Sequence, residues 1–224
     1  MLNASVQTTI GILLVDDHPI VRLGLIQLLN LEPDLQVRWQ AASVDEALAV
    51  CESAEPDMAI VDISLGEQTG IELIKKLARL HPSMQILAMS MHDESLYAER
   101  ALRAGAKGYV MKHSASKNIV AALRRIREGE IYVSEELRSR LITRAVTGNA
   151  RQRPSGLGQL SDRELEVFRL IGLGLKKSEL AVRLNLSVNT IESHRASLKK
   201  KLNVHSSSEL TRLAILHFEG ERDS

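Results

Sequence analysis

The chain has 224 residues, 44% of them hydrophobic and only 3% aromatic, which allows one large domain or two small ones with cores built from aliphatic side chains. One cysteine, Cys51, excludes a disulfide framework, and no stretch approaches the ~20 apolar residues of a membrane span, nor does a basic start lead into a long apolar run, so a soluble, unexported protein of a reducing cytoplasm is expected. A net charge of +1 hides an asymmetry, since residues 1–128 carry 13 Lys+Arg against 16 Asp+Glu and residues 129–224 carry 16 against 12, so the two parts are expected to face different partners.

Strand and helix patterns alternate to about residue 128. The apolar run Ile10 to Val15 reads as a strand and ends in Asp16-Asp17. Pro19 sits where a first helical turn tolerates it, and Ile20, Leu23, Ile26 and Leu28 continue at helical spacing. Gln36 to Ala41 is a second strand, and Ser43 with Glu46 has capping-box form ahead of a helix through Ala47, Leu48 and Val50. Pro56-Asp57 turns the chain into Met58-Ala59-Ile60-Val61-Asp62, a short branched run expected as a buried central strand. After a loop from Ile63 to Thr69, Gly70 precedes a helix with Ile71, Ile74 and Leu77 on one face. Ile86 to Ser90, a helix with Ala98, Ala101 and Leu102, Gly108 to Met111 and a helix from Lys117 to Glu128 complete five β/α units. Such alternation predicts a doubly wound, five-stranded parallel sheet covered on both faces.

The ends of these strands carry the chemistry. Ligands collect at the carboxyl edge of an open parallel sheet, and here that edge would hold Asp16, Asp17, Asp62, Ser90 and Lys112. Three carboxylates in one small pocket repel one another and call for a cation. Taken singly, each residue has an ordinary reading as a turn former, a helix cap or a solvated charge. Together they suit phosphoryl transfer to a carboxylate. Asp62 would be the nucleophile, and Mg²⁺ would be held by Asp17, by Asp16 partly through water, by Asp62 and by the backbone carbonyl of Ser64. Lys112 would pair with the phosphoryl group and Ser90 would donate a hydroxyl.

With Asp16-Asp17, Asp62, Gly70, Ser90, the turn Ala104-Gly105-Ala106-Lys107-Gly108-Tyr109 and Lys112 in this order, residues 10–128 resemble the receiver domain of two-component response regulators. The resemblance implies a flavodoxin-like fold, a sensor histidine kinase as phosphodonor, Asp62 as acceptor, and Ser90 and Tyr109 moving together as a switch. Two positions depart from the common pattern. Gly66 and His113 stand where many receivers have proline, and the first is expected to loosen the phosphoacceptor loop.

From Gly129 the alternation stops. Ser134 to Val146 has the pattern of one amphipathic helix, with Leu137, Leu141 and Ile142 on its apolar side, and Thr147 to Gln159 gathers Gly, Asn, Gln, Pro and Ser as a linker. Ser161 and Glu164 form a second capping box, and short helices follow at about 162–173, 177–184, 188–202 and 207–218. Asn185-Leu186-Ser187 makes the turn of a helix-turn-helix. In the third helix Ile191, Leu198 and Leu202 fall on one side, and Asn189, Glu192, Ser193, Ala196 and Lys200 form a second stripe suited to a major groove, or simply to solvent.

Residues 160–218 resemble the LuxR-type DNA-binding domain of regulators typified by NarL and FixJ. The match is carried by Leu160-Ser161, Arg163-Glu164, Glu166-Val167, Gly174, Glu179, Ala181, Leu184, Ser187, Thr190-Ile191, His194 and Lys201-Leu202, while Ser207 stands where arginine is frequent. By motif position Glu192, Ser193 and Ala196 would face base edges, with Asn189 beside them, and a C·G pair is expected opposite Glu192. Thr190, His194, Lys199, Lys200 and Lys177 would meet phosphates.

The expected architecture is a receiver over residues 8–129, a linker helix and flexible linker over 130–159, and a helix-turn-helix domain over 160–220. The expected function is a transcription factor, not an enzyme, in which phosphorylation of Asp62 with Mg²⁺ shifts a two-state equilibrium toward dimerisation and promoter binding. Leu210, Leu213 and Leu216 mark a candidate dimer seam. Two other readings share these residues. One is a Mg²⁺-dependent phosphohydrolase, opposed by Ser64 standing where a second acid is needed; the other is a constitutive DNA-binding protein whose receiver only dimerises.

Overall fold

The computed structural model describes residues 9–65, 68–91, 94–146 and 156–218. The chain divides into two compact units, Met1–Ser139 and Arg140–Ser224.

The first unit is built on five parallel strands, β1 (Ile10–Val15), β2 (Leu35–Ala41), β3 (Met58–Asp62), β6 (Gln85–Ser90) and β7 (Gly108–Met111), in the order β2-β1-β3-β6-β7. Strand β3 is central and all five of its residues are buried, as its unbroken apolar run requires. Edge strand β2 alternates buried ends with exposed Gln36, Arg38 and Gln40. Helices α1 (Pro19–Leu29), α2 (Val44–Ser53), α3 (Gly70–Leu80) and α4 (Glu94–Ala104) connect the strands, and α5 (Lys112–Arg127) follows the last of them. Leu25 and Leu29 of α1 join Ile12, Leu14, Ile60, Leu87, Ile119, Leu123 and Ile126 in one apolar cluster.

The differences from the sequence reading have local causes. In α1 the buried side is Leu25 and Leu29, with Ile26 and Leu28 partly covered, while Ile20 and Leu23 point to solvent. Periodicity identified the helix but not which apolar stripe meets the sheet. The Ser43 hydroxyl accepts from the Glu46 N–H, but the Glu46 carboxylate accepts from Ala42 N–H at 2.7 Å, one residue before the cap. The stretch read as a loop after Asp62 contains a two-stranded antiparallel ladder, β4 (Ser64–Leu65) against β5 (Gln68–Thr69). Gly66 and Glu67 lie outside the described residues. Helix α5 begins at Lys112, five residues before the expected Lys117, so Lys112 is the first residue of a helix.

Residues beyond Gly129 stay attached to the sheet. Tyr132 bridges to Gly108, its carbonyl accepting from Tyr109 N–H at 2.8 Å and its own N–H donating to the Lys107 carbonyl at 2.9 Å. Helix α6 (Glu135–Val146) follows, with Leu137 buried but Ile142 exposed, so its expected apolar side is buried only in part. The linker residues 147–155 lie outside the described residues.

The second unit holds α7 (Asp162–Gly172), α8 (Lys177–Arg183), α9 (Val188–Leu202) and α10 (Ser207–Phe218), each within a residue of its expected span. Ser161 and Glu164 form the expected capping box. Phe168, Leu180, Ile191, Leu198, Leu210, Ala214 and Phe218 are buried. Leu210 is therefore core, which removes it from the candidate dimer seam; Leu216 is exposed. Gly172 lets α7 and α10 touch, because a Cβ there would lie 2.6 Å from the Ala214 carbonyl oxygen.

Glu164 fastens α7 to α9. Its carboxylate accepts from Ser197 Oγ at 2.5 Å, Lys201 Nζ at 2.6 Å and Ser161 N–H at 2.7 Å. Burial opposes its charge, but Lys201, Ser197 and Ser161 outweigh that and hold its carboxyl down at about 2. A carboxylate depressed on folding stabilises the folded state above its unfolded pKa and loses that effect as pH falls toward the folded one. The α7–α10 unit is therefore expected to lose stability as pH drops from about 4.5 to about 2. Glu164→Gln should lower stability at pH 7 by about 2 kcal/mol and flatten the acid limb, as read by urea denaturation across that pH range.

Candidate functional site

The acidic pocket forms because β1 and β3 are neighbours in register, Val15 opposite Val61. Their next residues, Asp16 and Asp62, are both almost wholly buried. The Lys112 side chain, 6% exposed, lies between them. Its Nζ donates to Asp62 Oδ2 at 2.7 Å and stands 2.8 Å from Asp16 Oδ2. The other Asp62 oxygen, Oδ1, accepts from the Ser64 N–H at 3.2 Å. It is thus the amide of Ser64 that touches the carboxylate. Burial, with Asp16 adding to it against the pull of Lys112, pushes the Asp62 carboxyl up to about 7. Burial also opposes the Lys112 charge, yet Asp62 and Asp16 more than offset it and raise the ammonium's pKa.

Asp17 completes the acidic set at a more open position. Sequence reasoning missed its neighbour His18, whose Nδ1 lies 2.6 Å from Asp17 Oδ1 and 3.3 Å from Asp16 Oδ1. The His18 N–H also donates to Asp16 Oδ1 at 2.8 Å. The available signal was its place between the acidic pair and Pro19, at the N-cap of α1. Asp16, Asp17, His18 and Asp62 each offer a ligand atom within 4.8 Å of the others. Three carboxyl groups face one lysine here, and oxygen donors at this spacing fit a hard divalent cation such as Mg²⁺.

Ser90 is wholly buried at the end of β6, one residue past Met89, which pairs with Asp62. Tyr109 is buried on β7 opposite Ala88. Gly70 explains the approach of α3 to the pocket: its N–H donates to the Ile63 carbonyl at 2.8 Å, and a Cβ there would lie 1.9 Å from the Asp62 carbonyl oxygen. Only glycine lets the helix start against the backbone that carries Asp62.

In the second unit, α8 and α9 meet across a turn at Leu184 to Ser187, with Asn185 left-handed at φ +45°. Ser187 caps α9 by accepting from Thr190 N–H at 3.0 Å, and Arg163 Nη2 donates to the Leu184 carbonyl at 2.7 Å. Ile191 and Leu198 point inward, while Asn189, Ser193, Ala196 and Lys200 are exposed along one stripe, with Glu192 half-exposed among them. Several expected contacts already have partners. Lys177 pairs with Glu192 and lowers its pKa, so both are prepaired rather than free. The Ser193 hydroxyl donates to the Asn189 carbonyl at 3.1 Å, and Thr190 Oγ1 lies 2.8 Å from Ser187 Oγ. Burial, followed by the charge of Arg163, holds His194 below its ordinary pKa. Of the run Lys199-Lys200-Lys201, Lys201 is tied to Glu164, and Lys200 is the most open.

Comparison with known proteins agrees with this geometry. Residues 12–124 match the response regulator receiver domain, and residues 158–214 match the bacterial regulatory proteins of the luxR family. The chain is 32% identical over 208 residues to the response regulator UvrY of Escherichia coli K12, covering 93% of this chain and 94% of that one. It is 33% identical over 209 residues to the oxygen regulatory protein NreC of Staphylococcus epidermidis, covering 91% and 96%. Among solved structures it is similar to RcsB of Salmonella enterica serovar Typhimurium bound to promoter rprA in the presence of the phosphomimetic BeF3−, with a TM-score of 0.62, 27% identity, and coverage of 92% and 98%. None of the described helices is long and apolar enough to cross a membrane.

Because the Gly70 position has no room for a methyl group, Gly70→Ala should cost about 3 kcal/mol and displace the Asp62 backbone. Urea denaturation would read the first effect, and chemical-shift changes confined to residues around Asp62 and α3 the second.

Proposed function

The chain belongs to the NarL/FixJ-type response regulators of two-component systems, DNA-binding regulators rather than enzymes, and from that premise we propose that Asp62 accepts a phosphoryl group from a sensor histidine kinase and so controls binding to promoter DNA. The observation that carries this reading is the buried cluster of Lys112 with Asp62 and Asp16 at adjacent strand ends. A carboxylate oxygen of Asp62 attacks the phosphorus of the kinase phosphohistidine; the new O–P bond forms as the P–N bond breaks, and the imidazole leaves with the electron pair and takes up a proton. Lys112 pairs with the phosphoryl oxygens, exchanging part of its contact with Asp62 for them. The buried Ser90 hydroxyl donates to another of those oxygens.

Asp16, Asp17 and Asp62 would hold Mg²⁺, joined by the backbone carbonyl of Ser64, and the ion when bound would offset the repulsion between these carboxylates and the incoming phosphate. Ser90 and Tyr109, buried on neighbouring strands β6 and β7, form the switch that registers the phosphate. The output is a shift between two conformers of the receiver that favours pairing of two copies of the chain. The working division is a receiver over residues 8–129, a connecting helix and linker over 130–159, and a DNA-binding domain over 160–220. In that last domain, α9 enters the major groove. Asn189, Glu192, Ser193 and Ala196 face base edges, and Thr190, His194, Lys177, Lys199 and Lys200 meet phosphates. Lys177 and Glu192 reach DNA by exchanging their mutual ion pair for contacts with phosphate and base.

Incubation with acetyl phosphate and Mg²⁺ should add one phosphoryl mass to the intact protein and none to Asp62→Asn, with EDTA abolishing the adduct. An unmodified wild type whose DNA binding is also indifferent to beryllofluoride would reverse this reading in favour of constitutive DNA binding. On a random-sequence duplex, Lys200→Ala should weaken binding and reduce the slope of log K against log salt by about one.

A further inference from the structure

We propose that the cleft between α9 and α10 is a binding site for a phosphate group, taken by the buried guanidinium of Arg195 together with the N-terminal end of α10. Arg195 lies on the inward side of α9 with Ile191 and Leu198, away from the base-facing stripe, and is 7% exposed. Its Nε is buried without a hydrogen-bond partner. A buried guanidinium N–H left without an acceptor is costly and uncommon. Its charge acts on Glu192, whose carboxylate is committed to Lys177.

What Arg195 faces is suited to an oxyanion. It lines a cleft of about 520 Å³ with Ser207, Ser208, Thr211 and Arg212. A second guanidinium on the same cleft adds to the unrelieved positive charge. Ser207 opens α10, a helix of 12 residues, so the N–H groups of its first turn have no intrahelical acceptor. Ser206 Oγ takes the Glu209 N–H at 3.0 Å and the Glu209 carboxylate turns back to the His205 N–H at 2.9 Å. The N–H groups of Ser207 and Ser208 are left without partners among the described residues. Thr211 Oγ1 is committed to the Ser207 carbonyl at 2.9 Å and helps hold this first turn. The Ser208 hydroxyl lies 3.0 Å from Ser206 Oγ, so the two guanidiniums and the helix N-terminus are what favour a tetrahedral anion with several oxygens. The Ile215 and Leu216 wall suits the sugar carbons of a phosphodiester.

The phosphate has two sources, free phosphate and the backbone of a duplex; only the second rests on the DNA-binding reading above. The test uses the full chain as wild type, Arg195→Met and the exposed-site variant Arg212→Ala. Titration with inorganic phosphate against chloride at matched ionic strength, followed by calorimetry and thermal unfolding, should show binding to wild type and about tenfold or greater loss in both variants. In phosphate-free buffer Arg195→Met should match or exceed wild-type stability, because it removes an unpaired buried charge. Phosphate binding that is absent from wild type, or equal in all three proteins, would overturn the proposal. Protection of the cleft that depends on protein concentration and not on phosphate would also overturn it, assigning the cleft to a second copy of the chain. If phosphate binds as expected, a random-sequence duplex identifies the source. A salt slope reduced by about one in Arg212→Ala marks a DNA phosphate, and an unchanged slope marks a free one. Wild type that takes phosphate but no duplex would count against the DNA reading while leaving the site intact.

Discussion

One buried ammonium organises the first unit. Lys112 Nζ lies within 2.8 Å of carboxylates from two different strands, and its positive charge opposes the upward push of burial on the Asp62 carboxyl. Its position needs three elements at once. Strand β7 must end at Met111, α5 must start at once with Lys112, and β1 and β3 must be adjacent so that their ends converge. The doubly wound order β2-β1-β3-β6-β7 supplies that adjacency, and the crossover helices place every strand's carboxyl end on the same edge. The pocket follows from the topology and is stabilised by a charge pairing that still leaves room for a cation.

The second unit uses a buried charge differently. Glu164 belongs to the first turn of α7, yet its ligands Ser197 and Lys201 belong to α9. The capping box therefore also sets the helix that carries the exposed stripe. Arg163, the preceding residue, holds the carbonyl of the inter-helix turn at Leu184. Two neighbouring residues at one helix start thus fix both ends of the helix-turn-helix geometry, which is a physical reason for the motif Leu160-Ser161-Asp162-Arg163-Glu164 to precede it.

Much of this was legible in the sequence where a local rule has few competitors. Branched apolar runs ending in Asp or Lys located the strands and the acidic edge, and the Ser161/Glu164 capping box and the turn at Asn185-Leu186-Ser187 located α7 and α9. What was not legible depended on contacts distant in sequence. Helix α1 carries apolar residues around more than one side, so nothing local distinguishes Leu25 and Leu29, which meet the sheet, from Ile20 and Leu23, which do not. The start of α5 at Lys112 was hidden because Met111 gives no side-chain cap to signal it. His18 was passed over because nothing local to it shows that its ring lies against Asp17. The pairing of Lys177 with Glu192 was not legible, since α8 and α9 are brought together only by the turn.

The contrast between Lys112 and Arg195 shows how burial separates a completed site from an incomplete one. Both cations are more than nine-tenths buried at the side chain or residue level. Lys112 recovers the lost hydration through two carboxylates, whereas the buried Nε of Arg195 has no hydrogen-bond partner and the residue shares its cleft with Arg212. A chain that places an arginine on the inward face of a helix, beside Ile191 and Leu198, forgoes an apolar side chain that would pack there without penalty. That choice is intelligible if the acceptor arrives from outside. On the proposal above, that acceptor is an anion taken at the start of α10, where Ser207 and Ser208 line the same cleft.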